Sequence, residues 1–243
     1  MTSTSSALAN QTVAVFGGSS GIGLAIARAA RGAGARVLAV GRDRERLAAA
    51  AREVDGLLTA TADVAVEAEV EAVLRDLGAL DHVVVTAGAI VGPSALTALD
   101  FPRAQAAIAT KLFGSLLVAK HAAPRLRAGG SIGFTSGMLG RKVTPNAVVK
   151  TVINAGLEAA VRQLARELAP LRVYGVSPGP LDTPNWGPMS PAEREAKFAK
   201  FAAGLPVGFL PTVEDTAAAY LFAMTSRALT GTVIDLDGGA LVG

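Results

Sequence analysis

A chain of 243 residues, 51% of them apolar, has the length of a single α/β domain and enough apolar mass for one large core. Its 23 basic and 20 acidic residues leave a net charge of +3, with the arginines scattered among acids and alanines, which reads as solvated helix faces rather than a nucleic-acid surface. Zero cysteines exclude disulfides and thiolate metal sites, the two histidines (His82 and His121) are too few for a metal centre, and no apolar run nears the roughly 20 residues of a membrane span.

The first ten residues are small and polar and read as a disordered tail rather than a secretion signal, with a cytoplasmic location expected. From residue 11 to 243 the pattern is that of one domain. Short runs rich in Val, Ile and Leu fall at 12–16, 36–40, 57–61, 82–86, 131–135, 172–177 and 232–236. They show little alternation, as expected of strands covered on both faces. Helical patterns separate them at 21–31, 44–53, 67–77, 102–127 and 145–168, with two more at 191–203 and 213–225. Strand–helix alternation of this kind predicts a doubly wound, Rossmann-like α/β fold: a seven-stranded parallel sheet with helices on both faces. Thr144 and Pro145 read as the cap and first residue of the fifth helix. The segment 180–209 holds prolines, the only tryptophan (Trp186), Met189, Phe198 and Phe201, and reads as a substrate lid. Its apolar residues suit an apolar small-molecule substrate, or simply pack the lid shut.

The first strand runs into Gly17-Gly18-Ser19-Ser20-Gly21-Ile22-Gly23 and then a helix. Glycines there let the backbone approach a pyrophosphate, and the helix N-terminus offers free N–H groups. The end of the second strand reads Gly41-Arg42-Asp43. An acid would bind a ribose 2′-hydroxyl and a base would accept a 2′-phosphate, so Gly41 followed by Arg42 favours NADP(H). The alternative is a solvated arginine at a helix start. Asp43 reads as the cap of the next helix.

The glycine spacing resembles the phosphate loop of the short-chain dehydrogenases/reductases, with Phe16 in place of a threonine that braces the loop. Other landmarks of that family follow in order. Asp63-Val64 stands where the family meets the adenine. Thr86-Ala87-Gly88 resembles its N-N-A-G turn with both asparagines replaced. Pro178-Gly179 resembles the turn beside the nicotinamide, and Thr183 the threonine that contacts carboxamide or phosphates. Asp237-Gly238-Gly239 closes the last strand. The resemblance implies an oxidoreductase, assembled as a homotetramer or homodimer through its two long helices.

It also implies a serine, a tyrosine and a lysine in the segment 137–154, and an asparagine on the preceding helix. The matching positions hold Gly137, Lys150, Asn154 and Lys111. Lysine and asparagine have exchanged places, and neither tyrosine, Tyr174 or Tyr220, lies in the segment. An ammonium reaching the same cavity from the other helix is one reading; decay of the site is the other. Lys150 reads as a proton donor, a binder of a substrate carboxylate, or a solvent-facing lysine. Ser136 is the neighbouring hydroxyl that stands nearest the lost serine, with Thr135 beside it. The expected activity is reduction of an imine or an activated carbonyl. The alternatives are a cofactor-binding sensor or inactive partner subunit, and a cyclase or lyase that uses the cofactor-filled pocket without hydride transfer.

Overall fold

In the computed structural model, which describes residues 7–88 and 91–243, seven parallel strands form one sheet. They are β1 (Thr12–Phe16), β2 (Arg36–Gly41), β3 (Leu58–Thr61), β4 (Leu80–Val85), β5 (Leu126–Thr135), β6 (Arg172–Pro178) and β7 (Val233–Leu236). Their order across the sheet is β3-β2-β1-β4-β5-β6-β7. Every pairing is parallel. The order reverses between β1 and β4, and a ligand crevice opens at the carboxyl ends of strands on either side of such a reversal.

Period-two geometry splits the core between the two faces. Val13 and Val15 point to one face, joined by Ile26 of α1 (Gly21–Gly32), Leu47 of α2 (Arg44–Glu53) and Tyr220 of α8 (Val213–Thr225). Ala14 and Phe16 point to the other, against Leu74 of α3 (Glu67–Leu77), Val118 of α5 (Gly114–Ala122) and Val161 of α6 (Val148–Glu167). A third cluster joins α4 (Phe101–Ile108) to α6 through Ala104, Ala107, Ile153 and Leu157. The remaining helix, α7 (Pro191–Ala203), lies in the expected lid.

Side-chain caps set the starts of several helices. Asp43 caps α2, its carboxylate accepting from the N–H groups of Glu45 and Arg46 at 3.0 Å. Reciprocal capping boxes start α7 at Ser190 and α8 at Thr212.

Three expectations are corrected. The helix expected at 102–127 is broken: between α4 and α5 lies a π-helical turn, Ala109–Phe113, and β5 begins already at Leu126. The helix expected from Pro145 starts at Val148, without a side-chain cap, because Asn146 adopts a left-handed φ of 64° that no helix accepts. The expected tail at 1–10 lies outside the described residues up to residue 6, but Leu8 is fully buried in the core and its N–H donates to Ala33 O at 2.9 Å.

The last turn of α8 is tied to β6 by one side chain. The buried Arg172 guanidinium donates to Ala223 O at 2.6 Å, Met224 O at 2.7 Å and Ser226 O at 3.0 Å. These are carbonyls that a helix end leaves unsatisfied. Arg172→Met therefore strands several buried acceptors, and it should lower unfolding stability by about 2 kcal/mol or more in urea titration. Loss of less than about 0.5 kcal/mol would show that water replaces the guanidinium freely.

Candidate active site

The carboxyl ends of β1 and β4 form one packed unit. Gly17 has φ +90°, and a Cβ there would lie 2.6 Å from both Ala87 N and Thr86 Oγ1. A Cβ on Gly23 would lie 2.2 Å from Gly17 O. Only glycine lets the loop, the β4 turn and the start of α1 touch in this way. The Thr86 hydroxyl stands 3.2 Å from both Phe16 O and Gly17 O. The brace expected from a threonine at position 16 thus comes from the neighbouring strand.

The loop leaves its anion-binding groups open. Ser20, at the cap of α1, makes no side-chain cap bond, and the first turn carries no acid. The N–H groups of the Gly21-Ile22-Gly23 turn therefore face the crevice as donors with a positive dipole end behind them. Across from them, the Thr183 methyl lies 3.8 Å from where a Gly21 Cβ would stand. Such a cradle of glycines and unclaimed N–H groups fits a pyrophosphate. At the β2 edge, Ser19 Oγ lies 3.3 Å from the Cβ position of Gly41, so a larger residue at 41 would crowd it. Arg42, 61% exposed, pairs with Asp63 Oδ2 at 3.4 Å, joining the ends of β2 and β3. Val64 is buried against Gly114 of α5. Gly88 touches the stem of Lys111, its Cβ position 3.6 Å from Lys111 Cδ. At the end of β6, Pro178-Gly179 rests on the exit of β7: Gly179 N donates to Leu236 O at 2.9 Å.

Lys111 and Asn154 meet directly. Lys111 sits in the π-helical turn, where its carbonyl accepts from the Ser115 hydroxyl at 2.6 Å. Its ammonium donates to Asn154 Oδ1 at 2.8 Å and to Ser136 O at 2.9 Å. An ammonium can only donate, so the amide must turn its oxygen to Lys111 and its nitrogen away. That nitrogen lies 3.0 Å from where a Cβ on Gly137 would stand, so a residue larger than glycine would push on it. The Lys111 residue keeps some solvent exposure, but its ammonium is buried. Burial first, and the charge of Lys150 second, lower its pKa to about 8. Lys150, one turn before Asn154 on α6, is also lowered, by burial and then by Lys197 of α7.

Ser136 enters the site through its carbonyl and not its hydroxyl. The hydroxyl donates to Glu158 Oε1 at 2.9 Å and accepts from Gly137 N at 2.5 Å. Thr135 Oγ1 is likewise committed, 2.9 Å from Val85 O and 2.6 Å from the Tyr220 oxygen. Tyr174 and Tyr220 are fully buried, and burial pushes both phenols up. Residue-by-residue reading missed Glu158, which is buried and holds Arg141 Nε at 3.1 Å; Arg141 in turn bonds Asp235 of β7. The signal for it was its spacing: Lys150, Asn154 and Glu158 recur every four residues and share one helical face.

Away from this centre, the other candidates are structural. His82 bridges Ser131 Oγ and Gln11 Oε1 at 2.7 Å each, and burial lowers its pKa to about 4. His121 contacts Glu67 at 2.9 Å. Among the described residues no three His, Asp or Glu side chains gather to hold a metal, and no helix is long and apolar enough to cross a membrane. In the segment 180–209, Trp186 packs on Phe198 and Phe201 with ring centres 5.8 and 5.4 Å apart, and its indole N–H donates to Leu181 O at 2.6 Å. Lys197 Nζ lies 4.3 Å from the Trp186 ring centre. Arg194 binds Asp182 and so ties α7 to the start of the same segment.

A family model described as Enoyl-(Acyl carrier protein) reductase matches residues 17–240. A short-chain dehydrogenase/reductase of Stachybotrys chlorohalonatus is 37% identical over 96% of this chain and 97% of its own length. The human 3-oxoacyl-acyl-carrier-protein reductase is 30% identical over 95% of this chain and 98% of its own. Among solved structures, a small-chain dehydrogenase in complex with NADPH is 38% identical, with a TM-score of 0.81 over 96% of this chain and 99% of that one. The MalC reductase/Diels-Alderase from Malbranchea aurantiaca is 27% identical, with a TM-score of 0.90 over 98% of both chains. With the sheet order and the glycine cradle, these similarities establish that the chain belongs to the short-chain dehydrogenase/reductase family.

Proposed function

We propose that this protein is an NADP(H)-dependent oxidoreductase in which the usual serine, tyrosine and lysine are absent and the ammonium is supplied from the opposite helix. The observation that carries the reading is the contact of the exchanged residues, Lys111 Nζ to Asn154 Oδ1 at 2.8 Å. Two independent losses would have no reason to leave these side chains bonded to each other. A family relative solved with NADPH supports the cofactor. An exposed Arg42 just past the end of β2 supports the phosphorylated form.

In this reading Gly17, Ser19, Ser20, Gly21, Ile22 and Gly23 bind the pyrophosphate. Arg42 takes the 2′-phosphate, and Asp63 and Val64 line the adenine side. Ala87, Gly88, Pro178, Gly179 and Thr183 flank the nicotinamide. When bound, the nicotinamide supplies the hydride. Lys111 keeps an N–H beyond those given to Asn154 and Ser136, and this N–H serves the ribose or the developing negative oxygen. Lys150, its pKa lowered by burial and by Lys197, is the proton donor of the site. An imine suits such a site because it can arrive already protonated. The segment 180–209 covers the substrate, and exposed Phe113, Val148 and Val152 on the long helices support assembly into a dimer or tetramer. A second reading keeps the cofactor and drops hydride transfer in favour of cyclisation. It is supported by the likeness to a reductase/Diels-Alderase, and NADPH oxidation over a panel of imines and ketones separates the two.

NADPH at 100 times its dissociation constant should stabilise the fold by about 2.7 kcal/mol. NADH at equal concentration should do less, and Arg42→Asp should reverse the order in thermal-shift measurements. Equal shifts for both cofactors in the parent protein would remove Arg42 from cofactor choice.

Lys111→Asn and Asn154→Lys should each weaken NADPH binding or turnover by about 10- to 100-fold, the range of a lost charge-assisted bond. The double variant should recover most of the loss, because the ammonium returns from α6. Additive losses in the cycle would show that the positions act independently and that the site has decayed.

The lowered pKa of Lys111 gives a pH test. The folded protein holds this proton only to about pH 8, the unfolded chain to about 10.5. The buried charge thus opposes folding below pH 8, and stability of the parent relative to Lys111→Met should rise between pH 8 and 10.5. NADPH affinity that depends on the ammonium should fall over the same rise. A flat difference between the two proteins across that window would place the ammonium in water.

A further inference from the structure

One buried carboxylate beside the cleft has no part in cofactor binding or proton transfer. Glu158 of α6 is kept out of water, which a carboxylate tolerates only where its oxygens are met. The Ser136 hydroxyl donates to Oε1 at 2.9 Å, and Arg141 Nε stands 3.1 Å from Oε2. Arg141 is itself held by Asp235 of β7, with Nη1 2.8 Å from Oδ2. What this carboxylate controls lies one bond further on. The Ser136 hydroxyl oxygen also accepts from Gly137 N at 2.5 Å. That N–H belongs to the peptide unit whose other end is Ser136 O, the carbonyl that receives the Lys111 ammonium at 2.9 Å. A peptide unit is planar, so fixing its N–H fixes where its carbonyl points. A serine side chain left to itself visits three staggered positions, and the bond to Glu158 holds Ser136 in the one that meets Gly137 N.

The other acceptor of the ammonium comes from the same helix. Asn154, four residues before Glu158 and on the same face of α6, places its Oδ1 2.8 Å from Lys111 Nζ. One helix thus sets both bonds of Lys111, one by contact and one through Ser136. We propose that Glu158 is the positioning residue of this site: it fixes the Ser136 side chain so that the 136–137 peptide turns its carbonyl to Lys111, and thereby aims the N–H that Lys111 keeps for the cleft. The value of that N–H rests on the reading of Lys111 given above, whereas the grip on the ammonium does not. Lys150 is the charge that acts on the ammonium directly. Glu158 acts through Ser136, its own charge being met by Arg141. A buried ammonium that loses its carbonyl acceptor is short of a partner, and the neutral amine is then favoured.

The test follows Lys111 itself in the full chain, by NMR titration of lysines isotope-labelled at Cε, the Lys111 signal being the one absent from Lys111→Met. NADPH affinity is measured beside it by calorimetry. Glu158→Leu and Ser136→Ala should each lower the pH at which Lys111 loses its proton by about half a unit or more, and weaken NADPH binding at neutral pH about threefold or more. Glu158→Gln keeps an acceptor for the Ser136 hydroxyl and should restore most of both. The two residues act in series, so the double variant Ser136→Ala with Glu158→Leu should lose no more than either alone. In a Lys111→Met background, Glu158→Leu should leave NADPH affinity unaltered. A Lys111 titration unmoved by Glu158→Leu and Ser136→Ala overturns the proposal, and Ser136→Ala alone decides it where Glu158→Leu does not fold. Summed losses in the double variant, or equal weakening in the Lys111→Met background, also overturn it, because Glu158 would then only support the fold. So does a Glu158→Gln protein that behaves as Glu158→Leu, since charge and not the held hydroxyl would be at work. If the titration moves as expected while NADPH affinity ignores Lys111→Met, Glu158 stands as the positioning residue and the cofactor role of Lys111 fails.

Discussion

The arrangement of the cleft depends on one buried ammonium that has no anionic partner. A lysine charge removed from water is costly unless its donors are met. Lys111 meets two of them with a backbone carbonyl and a side-chain amide, Ser136 O and Asn154 Oδ1. Both acceptors must then be fixed. Ser136 is fixed by its own hydroxyl, which is bonded to Glu158; Glu158 is held by Arg141, and Arg141 by Asp235 on the last strand. A line of polar contacts thus runs from β7 beneath α6 to the ammonium. Glycine at 137 belongs to the same constraint, since it leaves room for the Asn154 amide nitrogen.

The cofactor cradle shows a similar exchange of duties. Phe16 removes a hydroxyl from the end of β1, and Thr86 at the end of β4 supplies one to the same loop carbonyls. In both places polar groups from neighbouring elements meet in the same space. Position alone therefore misjudges such sites, and contact restores the reading.

Much of the fold was legible because its signals are local. The strands are short apolar runs, the glycine loop follows the first of them, and Asp43 caps the next helix as its position implied. Lys111 and Asn154 could be singled out from the sequence by the family positions they match, whereas their direct bond could not. What was illegible depended on tertiary contact. Thr144 and Pro145 look like a helix start, but Asn146 turns left-handed and its carbonyl accepts from Ser94 N. Ser136 looks like a spare catalytic hydroxyl until Glu158, 22 residues away, is seen to claim it. The aromatics of segment 180–209 read equally as a substrate surface or as internal packing, and only their mutual contacts show that they pack largely on one another.

The π-helical turn Ala109–Phe113 carries a further consequence. A regular helix advances about 100° per residue, and a wider turn accommodates one extra residue without lengthening the path between its ends. Lys111 thus owes its direction to a phase offset in the winding and not to its neighbours in sequence. Removing a single residue from this stretch would bring the helix back into step and rotate one flank against the other by about a quarter turn. The ammonium would swing off Asn154 with every side chain unchanged in kind, so the length of this helix is as much a determinant of the cleft as its composition.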